Sequence, residues 1–173
     1  MFLRKTIAVL ASVAALSVGV AGTAQAAPRT LTYNSNAVTS AALKKAVDDG
    51  ANVWNTQVAN VRLVKTTGAA NITVSQDSGW PRAYVAGLGR GRWVFGTQAV
   101  TDGHHVVRIA AHEFGHLLSL PDRRTGLCTD LMSGASAGTS CKNPIPSAKE
   151  KAEVEAAFSR LVTVGPSTFV DAA

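Results

Sequence analysis

Apolar and polar residues alternate along two stretches, VRLVKT from Val61 and NITVS from Asn71, with Gly68 marking a turn between them. A period of two predicts half-buried strands. Leu31 to Tyr33 reads as another short strand, and AYVAGLGRGRWVFG, Ala83 to Gly96, as two more around a glycine-rich turn. Elsewhere the period becomes helical. Leu43, Val47, Val53 and Trp54 recur at roughly helical spacing behind Thr39 or Ser40, either of which can cap the helix, and Trp54 on that stripe is expected in the core. Val106, Val107, Ile109, Ala110, Phe114, Leu117 and Leu118 predict an amphipathic helix from His104 or His105 to Leu118, stopped by Pro121. Asp122 to Pro146 is rich in Gly, Ser, Cys and Pro, which predicts an irregular segment that is functional or cross-linked. Pro146-Ser147 then opens a helix through Phe158, with Val154, Phe158 and Leu161 as its buried side. The tail after Gly165 is expected to be frayed.

The first residues follow a different pattern. A basic start (Met1 to Lys5), an apolar run (Thr6 to Gly22) and Ala24-Gln25-Ala26 have the layout of a secretory signal peptide. Residues 1–26 are therefore expected to be removed, leaving 27–173 as a single domain that is secreted and extracellular. Loss of Arg4 and Lys5 takes the net charge from +6 to +4. That surplus is spread thinly, through Arg62, Lys65, Arg82, Arg90, Arg92, Arg108, Arg123 and Arg124 among others, with no run of five or six like charges, which argues against a nucleic-acid partner and for a solvated surface. No later stretch has spanning length, so no membrane partner is expected either. Cys128 and Cys141 are the only cysteines, and an even count in an exported chain favours a bridge over two free thiols or two thiolate ligands. Gly87, Gly89 and Gly91 superficially suggest a phosphate loop, but no Lys-Ser/Thr pair follows and a β-turn explains them.

The chemistry concentrates in AAHEFGHLLSLPDRR, residues 110–124. On a helix, residues four apart project from one face, one turn from each other, so His112 and His116 can offer two nitrogens to one metal ion. Glu113 lies beside them, where its carboxylate can reach a metal-bound water without ligating, as a general base should. A catalytic zinc needs a third protein ligand and one open position. Asp122, six residues after His116, is one candidate. A Glu from the later helix, Glu150, Glu153 or Glu155, is the other. The segment Leu131-Met132-Ser133-Gly134 favours the first, because its distance suits a tight turn that sets Met132 beneath the metal.

With His112, Glu113, His116, Asp122 and Met132 in this order, the chain resembles the metzincin metallopeptidases, and an Asp in place of a third His resembles the snapalysin family, small secreted neutral proteases of Streptomyces. TYN at Thr32, GRG at Gly89, LPD at Leu120, LMSG at Leu131, the two cysteines and NPIPSAKE from Asn143 extend the likeness over most of residues 27–173. The resemblance implies an α/β (α+β) fold: a twisted mixed sheet above the cleft, a zinc helix below it, a Met-turn at Met132, a last helix, and an edge strand that pairs with extended substrate. It also implies a Cys128–Cys141 disulfide and one catalytic zinc on His112, His116 and Asp122, with Glu113 moving the proton of the attacking water. An aromatic residue just after the cut bond is the preference that goes with the family.

Three positions depart from the family pattern. Ser119 stands where Gly is usual and where positive φ is expected, at a cost of roughly 1 kcal/mol. Arg124 replaces a Tyr, and Arg123 or Arg124 is a candidate for the oxyanion-stabilising charge. His105 replaces an acidic calcium ligand, which leaves Asp102 as the nearby acid and Ca²⁺ doubtful. His104 and His105 are expected to be exposed at the helix start, and Asp77 and Asp130 to serve turns. Protein or peptide substrates, and action as a monomer, complete the expectation. The rival is a catalytically inactive, zinc-stabilised secreted binding protein, against which an intact Glu113 argues, since a closed structural site needs no base.

Overall fold

Leu31, Tyr33 and Ser35 are buried along β1 (Arg29–Ala37) while the residues between them are not, as the alternation requires. The computed structural model describes residues 27–160 and 163–171. The signal-peptide expectation for 1–26 and the burial expected of Leu161 lie outside those residues. After β1 come α1 (Ala41–Gln57), β2 (Val61–Lys65), β3 (Ile72–Asp77), β4 (Arg82–Gly87), β5 (Arg90–Gly96), α2 (Thr97–Thr101) and α3 (Val106–Leu117). A 3₁₀ segment (Leu131–Ala137), α4 (Ala148–Arg160) and β6 (Ser167–Val170) complete the order. The strands form one mixed sheet, β2-β1-β3-β5-β4-β6. β1, β2, β3 and β5 run parallel, β4 runs antiparallel to β5, and β6 antiparallel to β4.

The elements start and stop where local chemistry allows. Ser40 caps α1 by accepting from the Leu43 amide at 3.4 Å. Ser147 and Glu150 form a reciprocal capping box at α4: the Ser147 amide donates to Glu150 at 2.6 Å, and the Glu150 amide to Ser147 Oγ at 3.4 Å. The core lies between the sheet and the helices α1 and α3. Phe114 of α3 meets Tyr33 of β1 and Trp93 of β5 edge-on, each with ring centroids 5.5 Å apart. Trp54 is fully buried, and its indole N–H donates to the Ala111 carbonyl at 2.8 Å, fixing α1 against α3.

Two sequence expectations change. The segment after Gly165 is not frayed: Ser167–Val170 pairs with the outer edge of β4. Four residues carry too short a pattern to signal a strand, and the partner that satisfies their backbone lies some 80 positions away in sequence, which no local window samples. Arg108 is not a solvated surface charge but a buried one.

Candidate metal centre

Helix α3 carries the functional side chains inward. His112, Glu113 and His116 are all buried. Each imidazole is held by a backbone carbonyl: His112 Nδ1 lies 3.1 Å from the Leu131 oxygen and His116 Nδ1 2.8 Å from that of Leu120. A carbonyl can only accept, so Nδ1 carries the proton in both rings and Nε2 is left as the coordinating atom. The two Nε2 atoms face each other at 3.0 Å. Asp122 Oδ1 completes the triangle, 3.3 Å from His112 Nε2 and 3.6 Å from His116 Nε2, and has no hydrogen-bond partner. Ligand atoms at zinc distances and tetrahedral angles stand about 3.3 Å apart. The donor set therefore fits such an ion, and two facing nitrogens with an unpartnered carboxylate oxygen otherwise have little reason to converge.

The chain reaches Asp122 through a Schellman turn. Leu120 N–H returns to the Gly115 carbonyl and Ser119 N–H to that of His116, both at 3.0 Å. Ser119 takes φ 91°, the positive value expected there. Inside the helix Gly115 is required by close approach: a Cβ would lie 2.7 Å from Met132 Sδ, so the glycine lets Met132 pack under the ligand helix.

Electrostatics follow from burial. Glu113 has both carboxylate oxygens buried without a partner, and burial pushes its pKa well above the ordinary carboxylate range. Burial alone would lower His112, but the carboxylates of Asp171, Asp122 and Glu113 raise it overall. His116 is pushed down by burial and by the charge on His112. Asp122, which burial alone would raise, is kept low by the imidazoles of His112 and His116 beside it and by Arg124.

A second layer holds this geometry. Arg108, one turn before His112, sends its guanidinium to the carbonyls of Asn143 at 2.6 Å, Asp130 at 2.7 Å, Leu131 at 3.3 Å and Cys128 at 3.4 Å. Glu150 accepts from the amides of Met132 at 2.7 Å and Leu131 at 3.1 Å. It is thereby a support of the Met132 turn. Glu153 pairs with Arg123, and Glu155 accepts from the amides of Ala59 and Asn60. Cys128 and Cys141 are bridged. Arg124 Nη2 lies 3.5 Å from Asp122 Oδ2. His104 and His105 are half-buried, His104 edge-on to Trp80. Among the described residues, ligand-type side chains gather in threes at this centre alone, as His112–His116–Asp122 and His112–Glu113–Asp171; neither group includes Asp102.

Sequence reasoning missed Arg108, Glu150 as a support, and Asp171. For Arg108 a signal existed: Arg108, His112 and His116 are spaced by four on one face of an otherwise apolar helix.

The family described as Streptomyces extracellular neutral proteinase (M7) matches residues 30–160. The chain belongs to this family. Among relatives, the extracellular small neutral protease of Streptomyces caespitosus is 36% identical over 132 residues, covering 75% of this chain and 97% of that protein. Those of Streptomyces lividans and Streptomyces sp. (strain C5) are 32% and 34% identical, covering 69% and 72% of this chain and 53% and 54% of theirs. The chain thus spans about half the length of these two. A crystal structure of archaemetzincin from Methanopyrus kandleri superposes with TM-score 0.54 at 13% identity, covering 77% of this chain and 97% of that one. The M7 chain therefore has a metzincin-type fold. Residues 163–171 lie beyond the part that the family match covers.

Proposed function

We propose that the protein is a zinc-dependent endopeptidase, exported by removal of residues 1–26, with 27–173 as its single peptidase domain and extracellular proteins or peptides as substrates. Membership of a neutral proteinase family supports hydrolysis of peptide bonds. The relatives' extracellular designation supports secretion, and no helix among the described residues is long and apolar enough to cross a membrane. The observation that carries the proposal is the convergence of His112 Nε2, His116 Nε2 and Asp122 Oδ1 beside the partnerless carboxylate of Glu113.

In this reading His112, His116 and Asp122 are the ligands and Met132 packs beneath them. Zinc, when bound, supplies a Lewis acid that polarises the scissile carbonyl and eases deprotonation of water. Glu113 accepts the proton of the attacking water and delivers it to the leaving amine. The carbonyls of Leu131 and Leu120 keep both imidazoles turned toward the centre throughout. An inactive binding protein would have no use for a buried, partnerless carboxylate at position 113.

Glu113→Gln tests the base directly. It is expected to retain one zinc per chain and the native circular dichroism while casein hydrolysis falls by about 10²- to 10⁴-fold. Undiminished cleavage would reject the assignment. Asp122→Ala is expected instead to lose stoichiometric zinc at equal protein concentration, and full retention would remove Asp122 from the ligand set.

A further inference from the structure

We propose that Ser167–Asp171 is an internal occupant of the substrate groove, a reversible blocking segment of the same chain. This rests on the peptidase reading above. Without β6, the outer edge of β4 would present unpaired N–H and C=O groups, which an extended peptide can satisfy by adding a strand. β6 takes that place in antiparallel register, with Ala83 opposite Phe169 and Tyr84 opposite Thr168.

Strand pairing alone would describe an ordinary edge strand. The side chains go further. The Phe169 ring lies flat on the His116 imidazole, with centroids 4.1 Å apart and planes within 3°. Two residues on, Asp171 is buried and its carboxylate joins His112 and Glu113 in one ligand-type cluster. It accepts from the Ala135 amide at 3.0 Å, while its own amide donates to the Pro81 carbonyl at 3.0 Å. Gly134 makes this seat: at φ 58°, a Cβ there would stand 2.3 Å from Asp171 Oδ1. The Val170 carbonyl accepts from Arg124 Nη2 at 2.9 Å, so the segment is gripped from the side of Asp122 as well. While this segment is in place, the outer edge of β4 over Arg82–Val85 is already paired.

The hold is suited to release. β6 is four residues long, and Thr168 and Val170 face solvent, so Phe169 supplies most of its apolar contact. The segment also follows the part of the chain that the family match covers.

The test compares the unaltered full chain with a full-length Phe169→Ala/Asp171→Asn variant, both loaded with zinc. Intramolecular competition raises apparent KM. The variant is therefore expected to show a KM for an extended peptide substrate about ten-fold or more below that of the unaltered chain. Phe169→Leu, which keeps apolar bulk but loses the stacked ring, shifts KM less in the same direction, and decides the matter if the double variant does not fold. A fluorescent, N-acetylated peptide amide of residues 164–171 is expected to bind the variant by anisotropy and the unaltered chain about ten-fold more weakly. Equal KM values, or a folded variant that is merely less active, overturn the proposal. If no form cleaves any peptide, the peptidase reading fails on its own. Peptide binding then still decides this one, with equal affinity or none as the overturning result.

Discussion

His116 Nδ1 and the carbonyl oxygen of Leu120 are 2.8 Å apart, and Leu120 is the residue whose amide closes the turn after α3. One tight turn therefore both orients a candidate ligand and aims the chain at Asp122. Ser119, at φ 91°, is the strained point of that turn. Ser119→Gly is expected to stabilise the fold by about 0.5–1 kcal/mol, since glycine alone enters this region without steric cost. A rise of about 2–4 °C in the thermal midpoint, with zinc content unchanged, is the measurable result. An unchanged or lower midpoint would contradict it.

Arg108 satisfies four backbone carbonyls of the loop that carries Leu131, the residue that orients His112. Arg108→Met keeps the stem but abandons these acceptors in a buried setting. Each orphaned buried acceptor costs about 1–3 kcal/mol, so a loss of about 3 kcal/mol or more is expected in urea unfolding. Zinc affinity falls with it, because mutation behind a metal ligand typically costs about 10- to 100-fold. A loss under about 1 kcal/mol would mean that solvent reaches these carbonyls.

The Cys128–Cys141 bridge pins the other end of the same loop. Closing a loop of this size is worth about 3 kcal/mol in the chain-entropy model. The Cys128→Ala/Cys141→Ala form should therefore unfold at clearly lower denaturant, with a similar dependence on denaturant concentration. Coincident unfolding curves would show that Arg108 alone holds the loop.

The chain has two tyrosines, Tyr33 and Tyr84, in opposite environments. Burial, and then the hydrogen bond to Asp48 at 3.0 Å, push Tyr33 far above 10.0. The hydrogen bond from Arg82 Nε at 3.0 Å lowers Tyr84 below 10.0. Absorbance at the phenolate band should rise in two separate steps, the first lost in Tyr84→Phe and the second in Tyr33→Phe. Because Tyr33 holds its proton more tightly folded than unfolded, its contribution to stability is complete below about pH 10 and declines above it. A single step near pH 10 would reject both environments.

Local patterns made much of this legible. Period-two alternation marked the strands, the stripe before Pro121 marked α3, and the four-residue spacing of His112 and His116 marked the ligand face, because each is a property of a few neighbouring residues. Asp122 was legible only through its spacing and the family likeness, since no local rule says that Ser119 will turn back through positive φ. Glu150 shows the limit: as a carboxylate on a later helix it was a reasonable ligand candidate, and only its three backbone donors from Ser147, Leu131 and Met132 assign it to the turn.

By itself the sequence determined the helix that carries two imidazoles and a carboxylate on neighbouring faces, and the period of the strands above it. The tertiary structure alone decided that Asp122 Oδ1 meets both Nε2 atoms, that Arg108 is buried against four carbonyls, and that Phe169 lies on His116. These contacts join residues from 6 to 53 positions apart, and they form because buried polar groups and open sheet edges must find partners wherever the packed chain brings them.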